Sequence, residues 1–123
     1  MAQALHPVLT PRLFTDRKCF GPGVAALLRG VELLGSLRAA AQDMGMAYSK
    51  AWHILREAED QLGFKLLASS AGGKNGGGAR LTPEGARFLA AYEAWTAALR
   101  VQGEALFRRH FADWLGDSEP PEP

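Results

Sequence analysis

The sequence predicts a mainly α-helical fold with a small β component. Three observations carry that prediction. Apolar residues recur at three- and four-residue spacings over four separate stretches. Stops and starts punctuate them: Gly35-Ser36, Gly45, Gly63 and Thr82-Pro83. Between the third and fourth stretches, two short β-type runs flank the octet AGGKNGGG, residues 71–78. Helix, turn, helix and hairpin in that order make a winged helix-turn-helix. It is expected over residues 8–82, an N-terminal β-hairpin included, with a long C-terminal helix behind it.

Residues 1–7 carry no pattern and are expected to be flexible. In VLTPRLFTDRKCF (8–20), Leu13, Thr15 and Cys19-Phe20 suit short strands and Asp16-Arg17 suits a turn. Gly21-Pro22-Gly23 opens the first helix, with proline near the first helical position, where its missing N–H costs nothing. Val24, Leu27, Leu28, Val31 and Leu34 make its buried face, and Gly35 ends it. Ser36 caps the second helix, whose inner face is Leu37, Ala40, Ala41 and Met44. The small residues Ala39–Ala41 let another helix approach closely. Gly45 breaks the chain and Met46 packs back as an apolar plug. The third helix runs from about Ala47 to Gln61 or Leu62, with Ala51, Leu55, Ala58 and Leu62 inward, and Gly63 closes it.

Phe64–Ser70 and Ala79–Thr82 read as the two strands of a hairpin around the glycine-rich tip. Thr82 caps the last helix (83–116), with Pro83 at its first position and Glu84 where the helix dipole favours an acid. Phe88, Tyr92, Trp95, Leu99 and Leu106 keep a heptad-like spacing along it, with Gln102 as a polar interruption. Gly103 is expected to kink or weaken the helix. The acidic, proline-rich 117–123 is expected to be disordered.

Composition excludes several classes. With 123 residues, 47% hydrophobic and 22% charged, the chain suits one globular domain. Cys19 is the single cysteine, which excludes an internal disulfide and fits a cytoplasmic location. The N-terminus does not resemble a signal peptide, and the longest apolar run, Cys19–Leu28, is too short to span a bilayer, so no membrane partner is expected. Net charge is +1, but residues 1–80 carry +4 and residues 81–123 carry −3. The basic part is the one with the helix-turn-helix. His6, His53 and His110 are too scattered for a metal site. No nucleophile–base or carboxylate pair stands out, so no catalytic residues, metal or cofactor are expected. The octet also fails the phosphate-loop pattern G-x-x-x-x-G-K-[ST], because a strand follows it instead of a helix.

Tyr48, Ser49, Lys50, His53 and Arg56 fall mostly outside the inward stripe of the third helix and can face a partner. Trp52 sits at its border, suited either to the core or to packing on a nucleic-acid backbone. Lys74 and Arg80, with glycine-freed backbone N–H groups, suit phosphates on the wing. Ser36 and Asn75 complete the candidate DNA-binding set.

These residues carry a resemblance. Gly21-Pro22-Gly23, Gly35-Ser36, Gly45-Met46-x-Tyr48-x-x-Ala51-Trp52 and the wing Gly72-Gly73-Lys74-x-Gly76-Gly77-Gly78-Ala79-x-Leu81-Thr82-x-x-Gly85 are similar to the N-terminal DNA-binding domain of the ModE family of molybdate-responsive transcription regulators. More distantly they resemble the winged helix of LysR-type regulators. The resemblance covers about residues 13–95. It implies that the helix from Ala47 is a recognition helix, that the hairpin is a wing, and that the last helix joins two chains. Two departures stand in the recognition helix: Ala47 replaces a usual serine, and Ser49-Lys50 places a lysine one residue late. Family members that sense molybdate do so through additional β-rich domains. With the sequence ending at residue 123, no small-molecule effector is expected on this chain alone.

The expectation is therefore a homodimeric regulator of transcription that binds double-stranded DNA. Its dimer interface would be Phe88, Tyr92, Trp95, Leu99 and Leu106. The alternative is a winged-helix protein-interaction module that does not bind DNA, favoured by the modest net charge and by Ala47.

Overall fold

A 13-residue helix, α1 (Pro22–Leu34), is the floor on which the other elements are laid. The computed structural model describes residues 3–69 and 78–116. The expected flexible start lies partly, and the expected disordered tail wholly, outside them. Pro22 stands in the first turn, and Val24, Ala25, Leu27, Leu28 and Val31 are buried. Removing one such leucine from water stabilises the fold by about 1.5–3 kcal/mol. Leu34, expected on the same face, is instead 50% exposed. It occupies the last turn, and Gly35 in the left-handed region (φ 83°) swings the chain away there, leaving Leu34 uncovered.

Helix α2 (Leu37–Asp43) crosses α1 closely, because a β-carbon placed on Gly30 would sit 2.8 Å from Ala40 Cβ. The Ser36 hydroxyl accepts the Ala39 amide hydrogen at 3.0 Å, as a capping serine should. Met44 is not part of the inner face: it is the residue where the helix stops, and it is 37% exposed. Gly45 (φ 68°) then reverses the chain, the Met46 amide donates to the Ala41 carbonyl at 2.9 Å, and Met46 packs against the core as expected.

Helix α3 (Tyr48–Leu62) buries Ala51, Leu55 and Ala58 and ends at Gly63 (φ 87°). On its far side lies the N-terminal hairpin, β1 (Leu13–Phe14) antiparallel to β2 (Lys18–Phe20). Phe20 is fully buried and makes edge-on contacts with Phe88 (4.8 Å) and Tyr92 (5.0 Å), while Phe64 meets Phe88 at 5.6 Å. Each such pair is worth about 0.5–1.5 kcal/mol beyond burial. Cys19 is buried beside Phe20, and burial pushes its thiol pKa up, as for an inert packing residue.

Strand β3 (Leu67–Ser69) pairs antiparallel with β4 (Ala79–Leu81) in the register Leu67↔Leu81, Ala68↔Arg80 and Ser69↔Ala79. The strand expected from Phe64 begins three residues later. Phe64 is drawn into the aromatic cluster, and the amides of Leu66 (2.8 Å) and Leu67 (3.2 Å) donate to the carboxylate Oε2 of Glu59. A side chain of α3 thus takes the donors that a longer strand would need.

Helix α4 (Pro83–His110) starts under the Thr82 hydroxyl, which accepts the Gly85 amide at 2.8 Å. Gly85 lies so close to the wing that a β-carbon there would fall 2.5 Å from the Leu66 carbonyl oxygen. The helix ends at His110, earlier than expected, and a 3₁₀ turn (Ala112–Trp114) follows. It runs through Gly103 unbroken. At that glycine a β-carbon would meet the end of the Leu9 side chain, which is 40% exposed. The N-terminal segment is also held at Pro11, whose carbonyl accepts the Tyr92 hydroxyl at 2.7 Å. No described helix is long and apolar enough to cross a membrane.

Candidate nucleic-acid interface

The outward side of α3 presents two adjacent strips. Successive residues turn by about 100°, so 48, 52 and 56 share one flank, and 49 and 53 lie on the next strip round. Ser49, Lys50, Trp52, His53 and Arg56 are exposed. Tyr48 is not free as expected. It is half-buried and packed against the core. Its hydroxyl accepts the Trp52 indole N–H at 2.8 Å. Trp52, the border residue, is 38% exposed and so faces both ways.

Two arginines sit on these rings. The Arg38 guanidinium, carried by α2, lies 4.1 Å from the centre of the Tyr48 ring, and that of Arg56 lies 4.9 Å from the Trp52 ring. At exposed sites each such contact is worth about 0.5–1 kcal/mol. Arg38 was invisible to sequence reasoning, since its partner ring belongs to another helix. Ser36, at the start of α2, is half-buried with its oxygen engaged in the cap. Ala47 stands at the cap position of α3 and offers no side-chain bond, so the first amides of α3 lack a side-chain partner.

The wing adjoins this surface. A groove of about 330 Å³ runs between α3 and the hairpin, bordered by Tyr48, Trp52, Lys65 and Ser69. Arg80 projects from β4 and spends one N–H on the Ser69 carbonyl at 2.9 Å, which holds it along the hairpin. Lys74 and Asn75 lie outside the described residues. Lys65, also missed, is mostly exposed at the groove, with a long 3.7 Å approach to Glu59. Glu59 itself is buried. Its partners are backbone amides, which no residue pattern announces.

The candidate dimer residues divide. Tyr92 is only 6% exposed and Phe88 is half-buried among aromatic rings, so both belong to the core of the chain itself. Trp95 (41%), Leu99 (36%) and Leu106 (46%) are left open along the outer flank of α4. Among the described residues there is no cluster of His, Cys, Asp and Glu fit to hold a metal ion.

Residues 26–86 match the family model of the bacterial regulatory helix-turn-helix protein, lysR family. These residues are a lysR-family helix-turn-helix domain. The lysR-type match spans most of α1, all of α2 and α3, the hairpin and the start of α4. The "DNA-binding transcriptional dual regulator ModE" of Escherichia coli is 35% identical over 85 residues, 69% of this chain and 30% of that protein. The "Molybdenum-pterin-binding protein MopB" of Rhodobacter capsulatus is 39% identical over 74 residues, 60% of this chain and 27% of that one. The "Molybdenum transport protein ModE" of Herbaspirillum seropedicae is 37% identical over 90 residues, 73% and 32%. The chain spans under a third of the length of these relatives. Among solved structures, ArgP from Mycobacterium tuberculosis superposes with a TM-score of 0.51 at 26% identity, over 71% of this chain and 30% of that one. The resemblance to ModE and lysR-type domains read from the Gly-Met-x-Tyr and wing residues agrees with these matches.

Proposed function

We propose that this chain is a DNA-binding regulator of transcription that lays α3 in the major groove and its wing on the backbone or minor groove. The observation that carries the reading is the exposed α3 face, Ser49, Lys50, His53 and Arg56, presented beside a basic hairpin inside a lysR-type domain. The major groove is about 12 Å wide and admits a helix of this kind. Lys65 and Arg80, with Lys74 and Asn75 of the wing octet, serve the phosphates, as does Ser36 at the start of α2. The name of the Escherichia coli relative supports the same reading.

The working unit is a homodimer acting in the cytoplasm. Residues 8–82 read DNA, and the last helix joins two copies through Trp95, Leu99 and Leu106. Two recognition helices then read a two-fold site, with half-sites about one helical turn, ~34 Å, or a multiple of it apart. Lys50→Ala is expected to weaken binding of a selected duplex by about 1–3 kcal/mol. Lys74→Ala is expected to weaken all duplexes alike and to flatten the salt dependence. A fluorescence-anisotropy titration in which both variants bind as the wild type does, at low and high salt, would overturn the assignment.

A further inference from the structure

Tyr48 and Trp52 are both in the candidate DNA-binding set, Tyr48 in the major groove and Trp52 on the backbone, but their surroundings point to a supporting role. Arg38, Tyr48, Trp52 and Arg56 form one continuous rail across the corner between α2 and α3, each member in contact with the next. Along α3 the rail covers two turns, residues 48, 52 and 56, or about 12 Å of rise. Neither cation is paired with a carboxylate among the described residues. Among the described residues the ion pairs are Arg17–Glu57, Arg29 with Glu32 and Glu93, Lys65–Glu59 and Arg108–Glu104, and none involves Arg38 or Arg56. A guanidinium held over a ring is restrained in position, and no N–H of Arg38 or Arg56 is engaged in a hydrogen bond among the described residues. That arrangement suits a phosphate, which a guanidinium grips through two parallel hydrogen bonds.

We propose that Arg38 and Arg56 are a pair of phosphate clamps held ready by Tyr48 and Trp52. The two aromatic residues are positioning residues, and base reading falls to the neighbouring strip, Ser49 and His53, with Lys50. The inference rests on the reading that α3 binds duplex DNA. It adds a contact residue, Arg38, on a different helix. Tyr48 is half-buried against the core, and a ring that carries a cation on one face and accepts an indole N–H at its hydroxyl has little left to offer a base edge.

The test is a salt series of anisotropy titrations on the full chain, using its selected duplex and single-base variants of that duplex. Arg38→Ala is expected to lower affinity for every duplex by the same factor. The slope of log K against log salt should flatten by about 0.9, the loss of one phosphate contact. Tyr48→Leu removes no charge yet should give the same signature, and Arg38→Ala with Tyr48→Leu should be no worse than Arg38→Ala alone. Tyr48→Phe keeps the ring and should keep the slope. A Tyr48→Leu variant that changes preference at one base and retains the full slope would overturn the proposal, as would an Arg38→Ala variant with the wild-type slope. Should Tyr48→Leu fail to fold, the slopes of Arg38→Ala and Arg56→Ala decide, since each must flatten. Wild-type protein that binds no duplex even at low salt would instead overturn the DNA reading itself, and the clamps with it.

Discussion

The two halves of α4 share one helix but not one environment. From Gly85 to Thr96 the helix buries Gly85, Leu89, Tyr92 and Thr96 against α1, the N-terminal hairpin and the wing. Beyond Thr96 no residue of the helix is buried, and Leu99, Val101 and Leu106 stand exposed, with Phe111 and Trp114 after it. The first half belongs to the helix-turn-helix unit; the second carries apolar surface that the unit does not use. Periodicity alone could not separate these roles, because Tyr92 and Leu99 occupy equivalent places in the same repeat. The difference teaches that a helix can enter as core and leave with its apolar residues uncovered.

The contrast can be broken most severely at Leu89. Leu89→Ala empties a fully buried position and should cost about 2–5 kcal/mol in urea unfolding, whereas Leu106→Ala, read on the monomer at high dilution, should cost under about 0.5 kcal/mol. Equal losses would erase the distinction between the halves. Gly85→Ala comes next. The added methyl meets the Leu66 carbonyl, which is backbone and cannot step aside, so a loss of roughly 1–3 kcal/mol is expected in the same assay. Leu106→Glu should leave the monomer folded by circular dichroism and shift sedimentation from dimer to monomer. A dimer that survives this change and a charge at Leu99 would place the joint elsewhere. The smallest effect is expected at the cap of α3, where Ala47→Ser should raise stability by about 0.5–1 kcal/mol, since the cap position has extended backbone and no side-chain bond.

Much of this fold was legible because it is written locally. Ser36 and Thr82 announce caps, Gly35, Gly45 and Gly63 announce left-handed stops, and each does in the structure what its chemistry requires. Leu34 and Met44 were misplaced at helix ends, and the other misses are tertiary. Phe64 leaves its strand for an aromatic cluster assembled from β2 and α4. Glu59 is buried under the turn into the wing and bonds two backbone amides, which no side-chain spacing announces. Of the candidate site, the strip Ser49, Lys50 and His53 could be read from helical spacing, because facing outward needs only the position of the inward stripe. Arg38 could not, because its ring lies across the turn on α3. The half-burial of Tyr48 was not legible either, because it depends on packing against the core.

The measurement that bears most directly on the central claim is selection of bound duplexes from a random library with the purified protein. A two-fold-symmetric site is expected, with half-sites about one helical turn or a multiple apart and with enrichment lost in an Arg38→Ala, Lys50→Ala double variant. Recovery of no sequence above the starting library, at low salt and with folded dimer, would contradict it.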